Sequence, residues 1–263
     1  MTDAPEPPSA RRTATEAVAD ITGLPLGQQF LITIAHTVAF TPRVAKSVIN
    51  REPGYISPLR LFMLMMGALL GVGAFFDLPI ILDLTTLFPP DMHGPLSEFL
   101  NARGVSLSEA DAEVGRWMSL FFWVTMVVSS LPFLVLLKAL APRLSWWTHA
   151  QCYLLANNVM LVITLASTPI LFISEPVYIV LQVLIMSVFF IALLRISVGA
   201  FRLSTARLAV LIIAIPFLIA VSILVTVLIN LIGLHAILSV AYDISLFELF
   251  DVGIDAPPQE STP

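Results

Sequence analysis

Asp77, Asn157, Asn158, Gln182 and Asn230 stand within long apolar runs, where a carboxylate or an amide is costly unless it binds something. Asp77 comes just before Pro79 in the outer third of one run, and Gln182 and Asn230 fall at similar depth in two later runs. Brought together, they would offer a carboxylate and two amides to a solute or ion, or hydrogen bonds from helix to helix. Asn157 and Asn158 are neighbours, about 100° apart on a helix, so at least one must point away from lipid. With His149, Gln151 and Thr164 they give their run a polar stripe. Such a stripe either lines a water-filled path or glues helices through bonds worth roughly 0.6 to 2 kcal/mol each. Catalysis finds no comparable set. There is no HExxH, no GxSxG, no P-loop and no pair of aspartates on neighbouring runs. Cys152 is the sole cysteine, which excludes an intrachain disulfide and a CxxC zinc site. No catalytic residue, metal or cofactor is assigned, and His149 beside Trp147 is read as an interfacial histidine.

The elements that must position these residues are apolar runs near 60–82, 117–138, 150–172, 177–195 and 208–232. Each is long enough to cross a hydrocarbon core of about 30 Å at 1.5 Å per residue. Backbone in lipid must satisfy its own N–H and C=O groups, and runs without alternating polar residues do so as helices. The fold expected is all-α: an integral membrane bundle of five transmembrane helices over residues 59–233. Hydrophobic residues make up 58% of the 263 and charged residues 12%, too few charges for an ordinary soluble domain. Nothing in the chain reads as a nucleic-acid surface; the lipid bilayer is the expected partner.

Sidedness follows from Lys and Arg. Eleven of the thirteen fall before the first run or in the second and fourth connections, against Arg103 and Arg116 on the other side. The positive-inside rule then puts the N-terminus in the cytoplasm and the C-terminus outside, in a multi-pass protein of the cell inner membrane. Trp117 and Trp123 at one boundary and Trp146 and Trp147 at the other suit headgroup level.

Residues 1–22 read as a disordered cytoplasmic tail, Pro-rich at the start and unlike a signal peptide, so the first run is expected to be retained. Residues 23–58 read as cytoplasmic interfacial helices. Residues 25–40 are apolar but too short to span. Thr41 and Pro42 predict an N-cap and first helical position. In the helix that follows, Arg43, Lys46 and Asn50 share a face opposite Val44, Val48 and Ile49, and with Arg51 they present positive charge to anionic lipid heads. The same pattern also fits a helix packed under the bundle. In the outer connection, 83–116, Ser106 or Ser108 caps a short helix. The segment 234–263 is either an outer interfacial helix or a continuation of the fifth run, ending in an acidic tail. Gly67 and Gly71 form a GxxxG that admits a close helix neighbour. Pro132, Pro169 and Pro216 are expected to kink three runs.

The stretch FTPRVAKSVINREPGYISPLRLFML, from Phe40 to Leu64, resembles the entry to the first span in a family of small bacterial polytopic membrane proteins, distantly like the Yip1 family. Pro42, Tyr55, Pro58 and Arg60 carry the match. A second similarity runs from Leu131 and Pro132 to His149 and Tyr153. The N-terminal CxxC zinc ribbon common in that family is absent here. The resemblance implies a fold and no particular chemistry. Two functions are therefore expected in competition. The first is a non-enzymatic inner-membrane protein of Yip1-like type that acts through lipid or protein contacts, a homo-oligomer or membrane-protein partner included. The alternative is a small oligomeric permease or channel with a polar path along the third helix, closed by Asp77, Gln182 and Asn230.

Overall fold

In a computed structural model the described residues are 25–76, 84–172 and 175–255. The N-terminal tail and the last acidic residues lie outside them. Every regular element among them is a helix: α1 (Leu26–Ala39), α2 (Thr41–Asn50), α3 (Pro58–Phe76), α4 (Leu84–Leu87), α5 (His93–Asn101), α6 (Leu107–Leu140), α7 (Trp146–Ser167), α8 (Glu175–Gly199), α9 (Thr205–Tyr242) and α10 (Leu246–Asp255), with two 3-10 turns at Pro90–Met92 and Thr168–Phe172. Three are long and apolar enough to cross a membrane, over Phe121–Leu140, Trp146–Ile170 and Thr205–Tyr242. The first and fourth expected spans fall on α3 and α8. Their apolar stretches among the described residues, Pro58–Val72 and Leu184–Gly199, are shorter.

The chain divides into two compact units, Met1–Gly71 with Leu134–Ala214, and Val72–Phe133 with Ile215–Pro263. In the first, α7 packs along α8, α1 packs on α7, and α2 packs on both. Small side chains allow this: Ala45 of α2, Cys152 and Ala156 of α7 and Ala192 of α8 are all buried. The closest approach is at Gly199, where a Cβ would lie 2.6 Å from Pro42 Cβ. Helix ends are closed by cations on carbonyls, the favourable charge for a helix C-terminus. Arg195 Nη2 donates to Ala39 O at 2.9 Å and Arg207 Nη1 to Leu140 O at 2.9 Å. Lys138 Nζ donates to Pro142 O and Leu144 O at 2.7 and 2.6 Å.

The second unit corrects the reading of the outer segments. The expected short capped helix and the second span are one helix, α6, and Ser106 is its cap, accepting from Glu109 N at 3.2 Å. The fifth run continues to Tyr242 in a helix of 38 residues, about 57 Å long. Asp243, at φ 54°, ends it, and α10 then packs on α5. Leu84, Leu96, Leu100, Leu238, Ile244 and Leu249 form a fully buried core here. Polar groups lock it. Asp111 accepts from Thr85 N at 2.9 Å and Thr85 Oγ1 at 3.2 Å. His93 Nε2 donates to the carbonyls of Thr85 and Phe88 at 3.1 and 2.9 Å. Ser245 and Glu248 form a capping box on α10, with Ser245 N donating to Glu248 Oε2 at 2.9 Å and Phe247 N to Ser245 Oγ at 3.2 Å.

Two other local expectations change. Thr41 does not cap α2; Phe40 holds the N-cap position, and the buried Thr41 hydroxyl donates to Thr37 O at 2.7 Å. Pro132 and Pro216 lie inside α6 and α9. Pro169 instead sits in the 3-10 turn that follows α7. Near Pro132, where the ladder loses an N–H, Ser222 Oγ donates to Ser129 O at 2.9 Å.

Candidate functional site

The first unit holds a cleft of about 440 Å³ at the start of α3. One wall is the end of α2 with Ser47, Val48 and Arg51. Another is the linker through Glu52, Tyr55 and Ser57 into Arg60, and the third is Trp147 and Gln151 of α7. Arg51 makes the turn possible. Its φ of 56° is left-handed, which costs a non-glycine residue about 1 kcal/mol, and it lets Glu52 N donate to Ser47 O at 2.9 Å.

The first turn of α3 leaves no orphan donor at this cleft. Pro58 has no N–H. Leu59 N donates to Gln151 Oε1 at 3.2 Å, Arg60 N to Ser57 Oγ at 3.4 Å and Leu61 N to Ser57 O at 3.0 Å. Asn158 Nδ2 donates to Pro58 O at 2.9 Å. Gln151 and Asn158 are seven residues apart, hence on one face of α7, and together they grip an N–H and a C=O of the α3 entry. The linker is held from the other side. Thr33 Oγ1 accepts from Ile56 N at 3.3 Å, and His36 Nδ1 bonds Tyr55 Oη at 2.8 Å.

Burial and then the charge of Arg43 lower the pKa of His36; burial raises that of Tyr55, which Glu52 also raises and Arg43 opposes. Both are thus neutral near pH 7. Because the folded value of His36 lies below 6.5, unfolded chains take up the proton first as pH falls. Its contribution is whole above about pH 6.5 and is lost below it. His36→Gln, which keeps a hydrogen-bonding group and does not titrate, is expected to flatten the decline of the melting temperature in detergent between pH 7 and 5. Parallel wild-type and variant curves would refute this.

The other expected site residues fare differently. Asp77 lies outside the described residues, as does the side chain of Gln182. Asn230 Oδ1 accepts from Thr125 Oγ1 at 3.1 Å, beside an apolar pocket of about 140 Å³ lined by Val114, Met118 and Leu234. Asn157 Nδ2 donates to Tyr153 O, in its own turn, at 3.1 Å. His149 is fully buried, its Nδ1 lies 2.8 Å from Ser145 O and its ring is 5.4 Å from that of Phe201.

Arg43 and Lys46 are exposed as expected, but the opposite face of α2, with Val44, Ala45 and Ser47, is buried against α7 and α8 instead of acyl chains. In α1 the arrangement is inverted. Thr33 and Thr37 are buried while Leu26 and Leu31 are exposed. Gly67 and Gly71 are exposed, and no described atom comes within 4 Å of a Cβ at either. The buried stripe of α3 is Leu61, Phe62, Met65 and Met66. The glycines that permit close approach are Gly199, against Pro42, and Gly233, whose Cβ would lie 2.8 Å from the ring of Phe121.

Residue spacing singled out Gln151 and Asn158 but not the role of His36, Thr33 or Ser57, whose partners are far away in the chain. Comparison with protein families, with curated proteins and with solved structures finds no match for this chain.

Proposed function

We propose a non-enzymatic, multi-pass inner-membrane protein of Yip1-like type, acting through contacts with lipid or with a membrane-protein partner, a second copy included. The observation that carries this reading is the use of the α7 amides. Gln151 Oε1 and Asn158 Nδ2 bond backbone groups of the α3 entry, and Asn157 Nδ2 one of its own turn. A stripe so engaged acts as glue, the usual role of amides between membrane helices.

Five spanning helices, α3, α6, α7, α8 and α9, form the membrane part. With 19 and 25 residues, α3 and α8 are about 28 and 37 Å long, close to or beyond the hydrocarbon thickness. Large apolar side chains face outward on α9, where Ile213, Phe217 and Val240 are 77, 70 and 88% exposed. A lipid surround makes that surface favourable. The distribution of Lys and Arg among the connections supports an N-terminus in the cytoplasm and a C-terminus outside.

Cysteine labelling tests the orientation. With the buried Cys152 replaced by serine, Glu109→Cys is expected to react with an impermeant thiol reagent from outside intact cells, and Arg202→Cys is not; both positions are exposed in the fold. Labelling of position 202 would overturn the orientation.

A further inference from the structure

We propose that the cleft at the α3 entry binds the phosphate of an anionic phospholipid headgroup, gripped by Arg51 and Arg60. The cations of this unit divide by use. Arg195 and Arg207 are committed to helix-end carbonyls and Lys138 to carbonyls of the connection after α6. Arg51 and Arg60 both line the cleft, both are exposed, and neither guanidinium has a hydrogen bond or ion pair among the described residues. Two more residues with donors line the same cleft, Trp147 and Ser57, whose oxygen accepts from Arg60 N; among the described residues neither the indole N–H nor the hydroxyl hydrogen has a partner. One acid, Glu52, lines the cleft, and its Oε1 accepts from Asn50 Nδ2 at 2.9 Å. The balance is cationic.

Guanidinium forks suit phosphate oxygens geometrically as well as by charge. A volume of about 440 Å³ lies in the range that holds a small ligand. The walls are preformed, since Gln151, Asn158, Thr33 and His36 fix the linker and the α3 entry, so little ordering entropy is lost on binding. Trp146 and Trp147 are 53 and 62% exposed at the start of a helix long enough to span. Exposed tryptophans at such a boundary mark headgroup depth, which favours a lipid over a soluble phosphate.

The test uses the full chain, purified in a non-ionic detergent, with melting followed by circular dichroism. Dihexanoyl phosphatidylglycerol at about tenfold its Kd is expected to raise the Tm by about 3 to 6 °C. Dihexanoyl phosphatidylcholine and inorganic phosphate at the same concentration are expected to do much less. In Arg51→Asn with Arg60→Gln, where asparagine tolerates the left-handed backbone, the phosphatidylglycerol shift should vanish. In Lys46→Gln with Arg143→Gln, which removes the same charge elsewhere, it should persist. An equal loss in both pairs, or a shift retained in the first, overturns the site. An equal shift with inorganic phosphate overturns the lipid assignment. Should the first pair not be recovered folded, Arg60→Gln alone is expected to halve the shift or more, and a full shift in it counts against the proposal. The inference rests on the membrane reading above, yet fails separately. A missing lipid shift with the expected cysteine labelling removes the site alone, whereas labelling at position 202 removes the orientation and leaves the detergent assay interpretable.

Discussion

Gly199→Ala is expected to destabilise the protein in detergent by about 2 kcal/mol, in the range of overpacking in a tight interior. The added Cβ would stand 2.6 Å from Pro42 Cβ and 3.2 Å from Pro42 Cγ. Neither atom is the end of a flexible side chain. Both belong to a ring fused to the backbone of α2, so relief requires moving α2 off α8. Alanine is a better helix former than glycine by up to about 1 kcal/mol, but Gly199 is the last residue of its helix, where that gain is small. The clash therefore wins. Gly71→Leu is the control, because a Cβ there meets no described atom within 4 Å; it should shift the midpoint by less than about 0.5 kcal/mol. A thermal or denaturant midpoint for Gly199→Ala equal to wild type would show that α2 and α8 are not in contact as described.

The double substitution Gln151→Leu with Asn158→Leu is expected to cost about 2 to 3 kcal/mol. It strips the α3 entry of the acceptor for Leu59 N–H and of the second donor to Pro58 C=O. Each lost bond is worth roughly 1 kcal/mol, more where a buried group stays unpaired. Asn157→Leu removes bonding within its own turn, to Tyr153, and should cost less than about 0.5 kcal/mol. In cells, the phenotype of each variant should track its abundance, since loss of stability acts through the steady-state level. A variant at position 157 or 158 that accumulates normally and still behaves like the deletion strain would replace the scaffold reading with a solute path.

How much of this was legible beforehand differs residue by residue. The polar stripe on α7 could be read from spacing, because Gln151 and Asn158 repeat on one helical face whatever they touch. What they touch could not. Their partners are backbone groups of residues 58 and 59, about a hundred positions earlier, and backbone groups leave no signature in side-chain identity. The GxxxG of α3 illustrates the converse. Gly67 and Gly71 carry the local pattern of a packing face, yet lie exposed, while Gly199 and Gly233, each alone in an apolar run, make the close approaches. Glycine spacing says where two backbones can meet, and only the neighbour's position says whether they do. The charges Arg43 and Lys46 marked one face of α2 correctly, but an amphipathic helix buries its apolar face equally well against protein or lipid, and here α7 and α8 take it.

The sequence alone determined that the chain is helical over the described residues, that the runs in α6, α7 and α9 are long enough to cross a bilayer, and that Lys and Arg cluster before the first run and in the second and fourth connections. These follow from composition along the chain, because a backbone in lipid has few ways to satisfy itself and length translates directly into depth. Tertiary structure decided the rest. It turned residues 84–116 and 234–249 into a packed unit with its own core, and it assembled a cationic cleft from α2, the linker after it and the start of α7. Both depend on contacts between distant residues, and it is the packing of particular side-chain shapes, rather than any local pattern, that selects them.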